Sequence, residues 1–220
     1  MQKRILRYTI SFCLLLAFSV QAQTDTTKRK GLVRLNIDLL SPVYGYFSDA
    51  PAKRMGGEAM LEISKNDTLF YVLEGGFHKM DYTRDLFQTT SSGLFLRAGV
   101  NRNLMKYYDK KDKDIVYIGA RVSTCTYQLG YPVFNNDSTY FGKGASNVVP
   151  SANYMAFWVE GVFGTRIEVV KNLFLGADLR GALMVYHTNQ SAYKTLFVPG
   201  FGNPLNGASL WVNYSVGYKF

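Results

Sequence analysis

Residues 210–220 alternate between apolar and polar positions. Leu210, Val212, Tyr214, Val216, Tyr218 and Phe220 share one side, and Trp211, Asn213, Ser215, Gly217 and Lys219 share the other. A period of two places successive side chains on opposite faces of a β-strand. Seven further segments carry the same period. Residues 32–40 show Val33, Leu35, Ile37 and Leu39; residues 57–64 show Ala59, Leu61 and Ile63; residues 69–79 show Leu69, Tyr71, Leu73 and Phe77. Residues 94–103 show Leu94, Leu96, Ala98 and Val100, and residues 115–127 show Val116, Ile118, Ala120 and Val122. Residues 155–167 offer Phe157, Val159, Phe163 and Ile167, and residues 173–186 offer Leu173, Leu175, Ala177, Leu179, Leu183 and Val185. Several of these segments reach the roughly 9 to 11 residues of a tilted membrane strand, whereas soluble strands run nearer about 5 or 6.

The links between the segments alternate in length. Residues 65–67 and 168–172 are short and polar, and a link of about eleven residues rich in Lys and Asp joins the fourth and fifth segments. Residues 41–56, 80–93, 128–154 and 187–208 form longer links. Short turns at one end and long loops at the other define an up-and-down meander. Both termini on the short-turn side require an even strand count. The expected fold is all-β: an eight-stranded antiparallel up-and-down transmembrane β-barrel.

The polar faces carry a second regularity. Arg34, Asp38, Glu58, Glu62, Glu74, Arg97, Arg121, Glu160, Arg166, Asp178, Arg180 and Lys219 all lie opposite the apolar residues, six acids and six bases. Facing lipid, each would cost roughly 2–4 kcal/mol at the bilayer midplane. Facing inward they can neutralise one another, and an eight-stranded barrel has just enough interior to hold side chains. Gly76, Gly99, Gly119, Gly164, Gly176 and Gly217 share that inner face and leave room for long arginines. The expectation is a structural mid-barrel network of Glu74, Arg97, Arg121, Glu160, Asp178 and Arg180 that plugs the lumen. A soluble lipocalin-like barrel, apolar within and polar outside, has the same alternation. Long strands, Phe220 at the end and a scarcity of Lys on the polar faces favour the membrane form.

The first residues change the picture of where such a barrel resides. Lys3, Arg4 and Arg7 precede an apolar stretch over 8–20, and Val20-Gln21-Ala22 reads as a small-x-small cleavage site. Residues 1–22 are read as a signal peptide, 23–30 as a short segment and 31–220 as the barrel. Cys13 lacks the small residues that precede a lipoprotein cysteine, so no lipid anchor is expected. Beyond the leader only Cys125 remains, which excludes an intramolecular disulfide. After Ala22 there is no run of 18 apolar residues, which excludes helical membrane spanning. The aromatic share is 15%, with 16 Tyr and 15 Phe, and suits aromatic girdles at two membrane interfaces.

Leader, eight amphipathic strands and a terminal Tyr218-x-Phe220 resemble the small outer-membrane β-barrels of the OmpA/OmpX type. The loop chemistry is similar to that of uncharacterised small barrels of Bacteroidota. The resemblance covers nearly the whole exported chain at the level of architecture. It implies a bacterial outer-membrane location, outer-membrane lipid as the surrounding partner, short turns in the periplasm and longer loops outside. It also implies barrel-insertion machinery that reads Phe220 and Tyr218 during biogenesis.

Candidate chemistry is sparse. Formal net charge is +9, falling to about +6 without the leader's three cations. The basic clusters at Lys28 and Lys30 and at Lys110, Lys111 and Lys113 are short, and Asp109, Asp112 and Asp114 interrupt the second. They read as solvated turns near anionic headgroups, and no nucleic-acid partner is expected. His78 and His187 are the two histidines; parity points the first inward and the second outward, on opposite sides of the ring. Neither has a Ser or acid at a spacing that assembles a triad, so no catalytic residues and no enzyme are expected. No H-x-x-x-H or C-x-x-C occurs, and neither a metal nor a cofactor is expected.

The link 128–154 carries Tyr131, Phe134, Tyr140 and Phe141, exposed-loop aromatics of the kind that anchor binding partners. The functional expectation is a non-enzymatic integral outer-membrane barrel with a charge-plugged lumen, serving envelope structure or binding an envelope protein partner through its external loops. Two alternatives accompany it. An outer-leaflet lipid-modifying enzyme would need a polar rim cluster around His78 or His187, and a narrow pore would need a continuous gap through the inner charges.

Overall fold

Every alternating segment forms a strand that hydrogen-bonds to its neighbours in sequence. The computed structural model describes residues 32–39, 41, 52–66, 68–84, 87–105, 113–130, 133–134, 152–188 and 195–220. The strands are β1 (Leu32–Asp38), β2 (Ala52–Asn66), β3 (Leu69–Arg84), β4 (Phe87–Asn103), β5 (Ile115–Leu129), β6 (Val133–Phe134), β7 (Ala152–Val170), β8 (Leu173–His187) and β9 (Ala208–Lys219). All pairings are antiparallel, and the ring closes because β1 bonds to both β2 and β9. Eight strands form the barrel; β6 adds a two-residue pairing at the outer end of β4, Phe87 to Phe134 and Gln88 to Val133. Closure removes the unpaired edges of an open sheet, the only way strands can lie in hydrocarbon.

The short turns lie at one end. The β7–β8 turn has Asn172 at φ 67°, a left-handed conformation that Asn tolerates, and its N–H donates to Glu168 Oε1 at 2.7 Å. Both chain ends of the barrel meet this end: Lys219 N–H donates to Asn172 O (2.9 Å) and Phe220 N–H to Val33 O (3.0 Å).

The longer links shorten where strands run on, and β2 begins at Ala52, within 41–56. Residues 80–93 are not a long loop: the β3–β4 ladder runs on from Met80–Ser91 to Arg84–Phe87, leaving only 85–86 as the connection. The apolar alternation stops there because lipid contact stops, not because the strand does. Tyr82, Thr83, Thr89 and Thr90 are good strand formers that need no apolar face in water. The lengths agree: the 15 residues of β2, at about 3.3 Å each and tilted roughly 40°, rise about 38 Å, more than an apolar band of roughly 25 Å.

Polarity is inverted relative to a soluble protein. Outward-facing Val122 is 68% exposed and Leu210 73%, while inward-facing Glu74 and Arg180 are 0% exposed. The same inversion holds along β5, β8 and β9. A continuous apolar girdle of this kind belongs in a bilayer and would drive association in water. The lipocalin-like alternative, with an apolar interior, is excluded by the buried charges.

Candidate functional site

The centre of the lumen is built around one carboxylate. Glu74 on β3 accepts from Arg121 Nε on β5 at 2.9 Å through Oε1, and from Arg180 Nη1 on β8 at 2.6 Å and Arg97 Nη1 on β4 at 3.2 Å through Oε2. Arg97 also meets Glu58 at 2.7 Å and, through Nε, Glu160 at 2.8 Å. Arg180 adds Glu58 (3.2 Å) and Asp178 (3.2 Å). Glu160 Oε1 accepts from Trp158 Nε1 at 2.6 Å and Ser123 Oγ at 3.1 Å. All six residues singled out by alternation therefore lie in one connected cluster.

The cluster continues toward the short-turn end. Arg34 pairs with Glu62 at 2.9 Å, Arg166 with Asp178 at 2.6 Å, and Tyr117 donates its hydroxyl to Asp178. Asn36 and Asn101 donate to Glu62 at 3.3 and 3.1 Å. Arginine suits this work because its planar fork can face several carboxylates while its π-face stacks on a ring. Arg34 lies 4.2 Å over Phe174, Arg97 4.3 Å over Phe95 and Arg166 4.9 Å over Tyr117. Two inner-face glycines make the room. A Cβ at Gly99 would meet Ala120 O and the Arg121 stem, and one at Gly176 would meet Arg166 and Ser215. Lys219 is half-buried at the rim.

The outer half of the lumen is filled differently. Residues 195–207, between β8 and β9, fold into the mouth, where Phe197, Val198 and Phe201 are buried. Val198 N–H donates to Gly202 O, and Gly202 N–H returns to Val198 O, both at 2.8 Å, a tight turn that needs the positive φ of Gly200 and Gly202. Phe201 packs edge-on against Trp158 at 5.8 Å, within an apolar cluster that includes Phe95, Cys125, Tyr127, Tyr154 and Ala182. Arg97 Nη2 donates to Gly200 O at 2.8 Å and Ser91 Oγ to Phe197 O at 2.8 Å, tying the loop to the charged layer below. Strand alternation gives no sign of this insertion. The signal was present: Leu196-Phe197-Val198-Pro199-Gly200-Phe201 is too apolar for a solvated loop.

His78 does find a serine, contrary to expectation. β1 ends at Asp38, where Ser41 N–H donates to Asp38 Oδ2 (2.8 Å), and the turn brings Ser41 Oγ within 3.1 Å of His78 Nε2. Gly56 of β2 lies opposite His78, where a side chain would strike the imidazole. Linear spacing hid this contact because Ser41 lies 37 residues from His78. The pair is not wired as nucleophile and base. Gly200 N–H donates to His78 Nδ1 at 3.2 Å, so a neutral ring carries its hydrogen on Nε2 and gives it to Ser41 rather than taking one. Among the described residues His187 Nδ1 lies 3.2 Å from the Thr188 carbonyl. Among the described residues no group of His, Cys, Asp and Glu could hold a metal ion.

Tyr131, Tyr140 and Phe141 lie outside the described residues, as does the side chain of Phe134. Tyr218 and Phe220 stack edge-to-face at 5.1 Å on the outward surface, Phe220 73% exposed.

Several solved structures are similar to this chain, and three of them show the range. They are the N-terminal β-barrel domain of Pseudomonas aeruginosa OprF (10% identical, TM-score 0.38, covering 88% of this chain and 100% of that one), Neisserial surface protein A (11% identical, TM-score 0.43, 88% and 98%) and Ail, the attachment invasion locus protein of Yersinia pestis (8% identical, TM-score 0.39, 88% and 100%). No curated protein matches the sequence. One family, described as a domain of unknown function, matches residues 5–220. The eight-stranded barrel with its ion-paired lumen therefore belongs to the DUF6048 family.

Proposed function

We propose that this protein is a non-enzymatic integral protein of the bacterial outer membrane whose lumen is plugged by its own charges. The observation that carries the reading is Glu74, which accepts from guanidinium groups on three different strands across the barrel. An ion crossing the lumen would have to part several buried, mutually bonded pairs, each strongly disfavoured when separated. Purified protein in planar bilayers is expected to give no conductance steps. Reproducible steps, abolished in the absence of protein, would replace the plug with a narrow pore.

Export follows the same reading. Residues 1–22 act as a cleaved leader and the exported chain begins at Gln23. Phe220 and Tyr218 are the signal for the insertion machinery, and lipid is the constant partner of the apolar girdle. Amino-terminal sequencing of protein from native outer membranes tests the first point, and the insertion yield of a chain lacking Phe220 tests the second. The external loops, with Tyr131, Phe134, Tyr140 and Phe141, serve envelope structure or hold an envelope partner. Co-purification in mild detergent distinguishes an assembly subunit from a lone barrel.

A further inference from the structure

One hydrogen bond that holds the mouth closed depends on where a histidine keeps its proton. Gly200 N–H donates to His78 Nδ1 at 3.2 Å, and Nε2 faces Ser41 Oγ at 3.1 Å. A second proton on the ring would go onto Nδ1. Nδ1–H would then face Gly200 N–H, two donors with no acceptor between them. The charged groups that face the ring among the described residues are Arg97 from β4, Arg54 from β2 and Asp38 from the end of β1. Residues 195–207 themselves carry no charge. An imidazolium would therefore add a cation beside two guanidinium groups, of which Arg97 is already paired with Glu58.

The aromatic contacts of the loop converge on the same ring. His78 lies 4.9 Å from Phe95 and 6.4 Å from Phe197, and Arg54 sits 5.2 Å over Phe197. We propose that His78 is an acid-sensitive latch on the loop 195–207: the neutral ring holds the loop in the barrel mouth, and protonation releases it. Release uncovers a vestibule floored by Arg97 and Glu58, which stay paired at 2.7 Å. The vestibule has a closed bottom, so mouth opening and ion conduction are separate properties and fail separately.

The test is hydrogen–deuterium exchange of the full exported chain in lipid nanodiscs, with rates normalised to intrinsic exchange. Between about pH 7.5 and about pH 3, protection at Gly200 and its loop neighbours is expected to fall roughly tenfold. The β5 amides of Arg121 and Ser123 are expected to stay protected. In His78→Gln the side-chain carbonyl accepts from Gly200 N–H without titrating, and the pH response of the loop is expected to vanish. Unchanged loop protection in the unsubstituted protein would overturn the proposal, as would equal losses in loop and β5. An undiminished response in His78→Gln would do the same. Should that variant fail to fold, His78→Asn, whose amide likewise does not titrate, supplies the same comparison.

Discussion

The two halves of the lumen are filled by opposite means. In the middle layer every group comes from a strand, and the pairs reach across the barrel from β3 to β8. In the mouth the filling comes from a loop that turns inward and lays Phe201 on Trp158. A strand-borne pair cannot leave without breaking the wall, whereas an inserted loop can leave and keep the wall intact. The first arrangement fills the lumen from the wall and the second fills it from a loop. Local opening free energies should differ accordingly, high in the middle layer and low at the mouth.

The largest expected effect comes from the hub. Glu74→Leu removes the carboxylate partner of Arg121, whose other contacts are the carbonyls of Val100 and Ala120 at 3.2 Å, and weakens Arg97 and Arg180. An orphaned buried charge costs about 3–5 kcal/mol, so the urea midpoint of the folded barrel in lipid should fall sharply. A second substitution sharpens the point. Arg121→Met in the Glu74→Leu background should recover about 1–3 kcal/mol of that loss, measured by the same unfolding curves. Failure to recover anything would mean that Arg97 and Arg180, not Arg121, bear the cost.

The mouth should respond in another way. Phe201→Ala should lower the global unfolding free energy by less than about 1 kcal/mol, while protease cleavage within 195–207 becomes fast. A loss as large as that of Glu74→Leu would erase the distinction between wall-borne and loop-borne filling. The smallest effect belongs at the short-turn rim. Lys113 meets Glu168 at 2.6 Å, with side chains 30% and 17% exposed, and Lys113→Ala should change stability by under about 1 kcal/mol.

Much of the fold is legible from alternation alone. A residue's parity in a strand assigns it to lipid or lumen, which is how Glu74, Arg97, Arg121, Glu160, Asp178 and Arg180 can be grouped before any coordinates. Parity has two blind spots here. It marks only the lipid-facing part of a strand, so the polar extension of β3 and β4 beyond Met80 reads as loop. It is also silent about loops, so neither the insertion of Phe197 and Phe201 nor the contact of Ser41 with His78 is visible. Both depend on chain segments far apart in sequence meeting inside the mouth.

The sequence by itself determined that the chain makes eight strands with charges inward and apolar side chains outward. The side-chain period is a local property of an extended backbone, and burying charge in lipid is too costly to allow the reverse. Tertiary structure alone decided which carboxylate meets which guanidinium. The stagger of strands around a closed ring sets Glu74 opposite Arg180 and level with Arg97 and Arg121. It also decided that the last external loop folds in. Only a closed barrel offers a cavity with Trp158 and Phe95 on its wall and Arg97 at its floor to receive that loop.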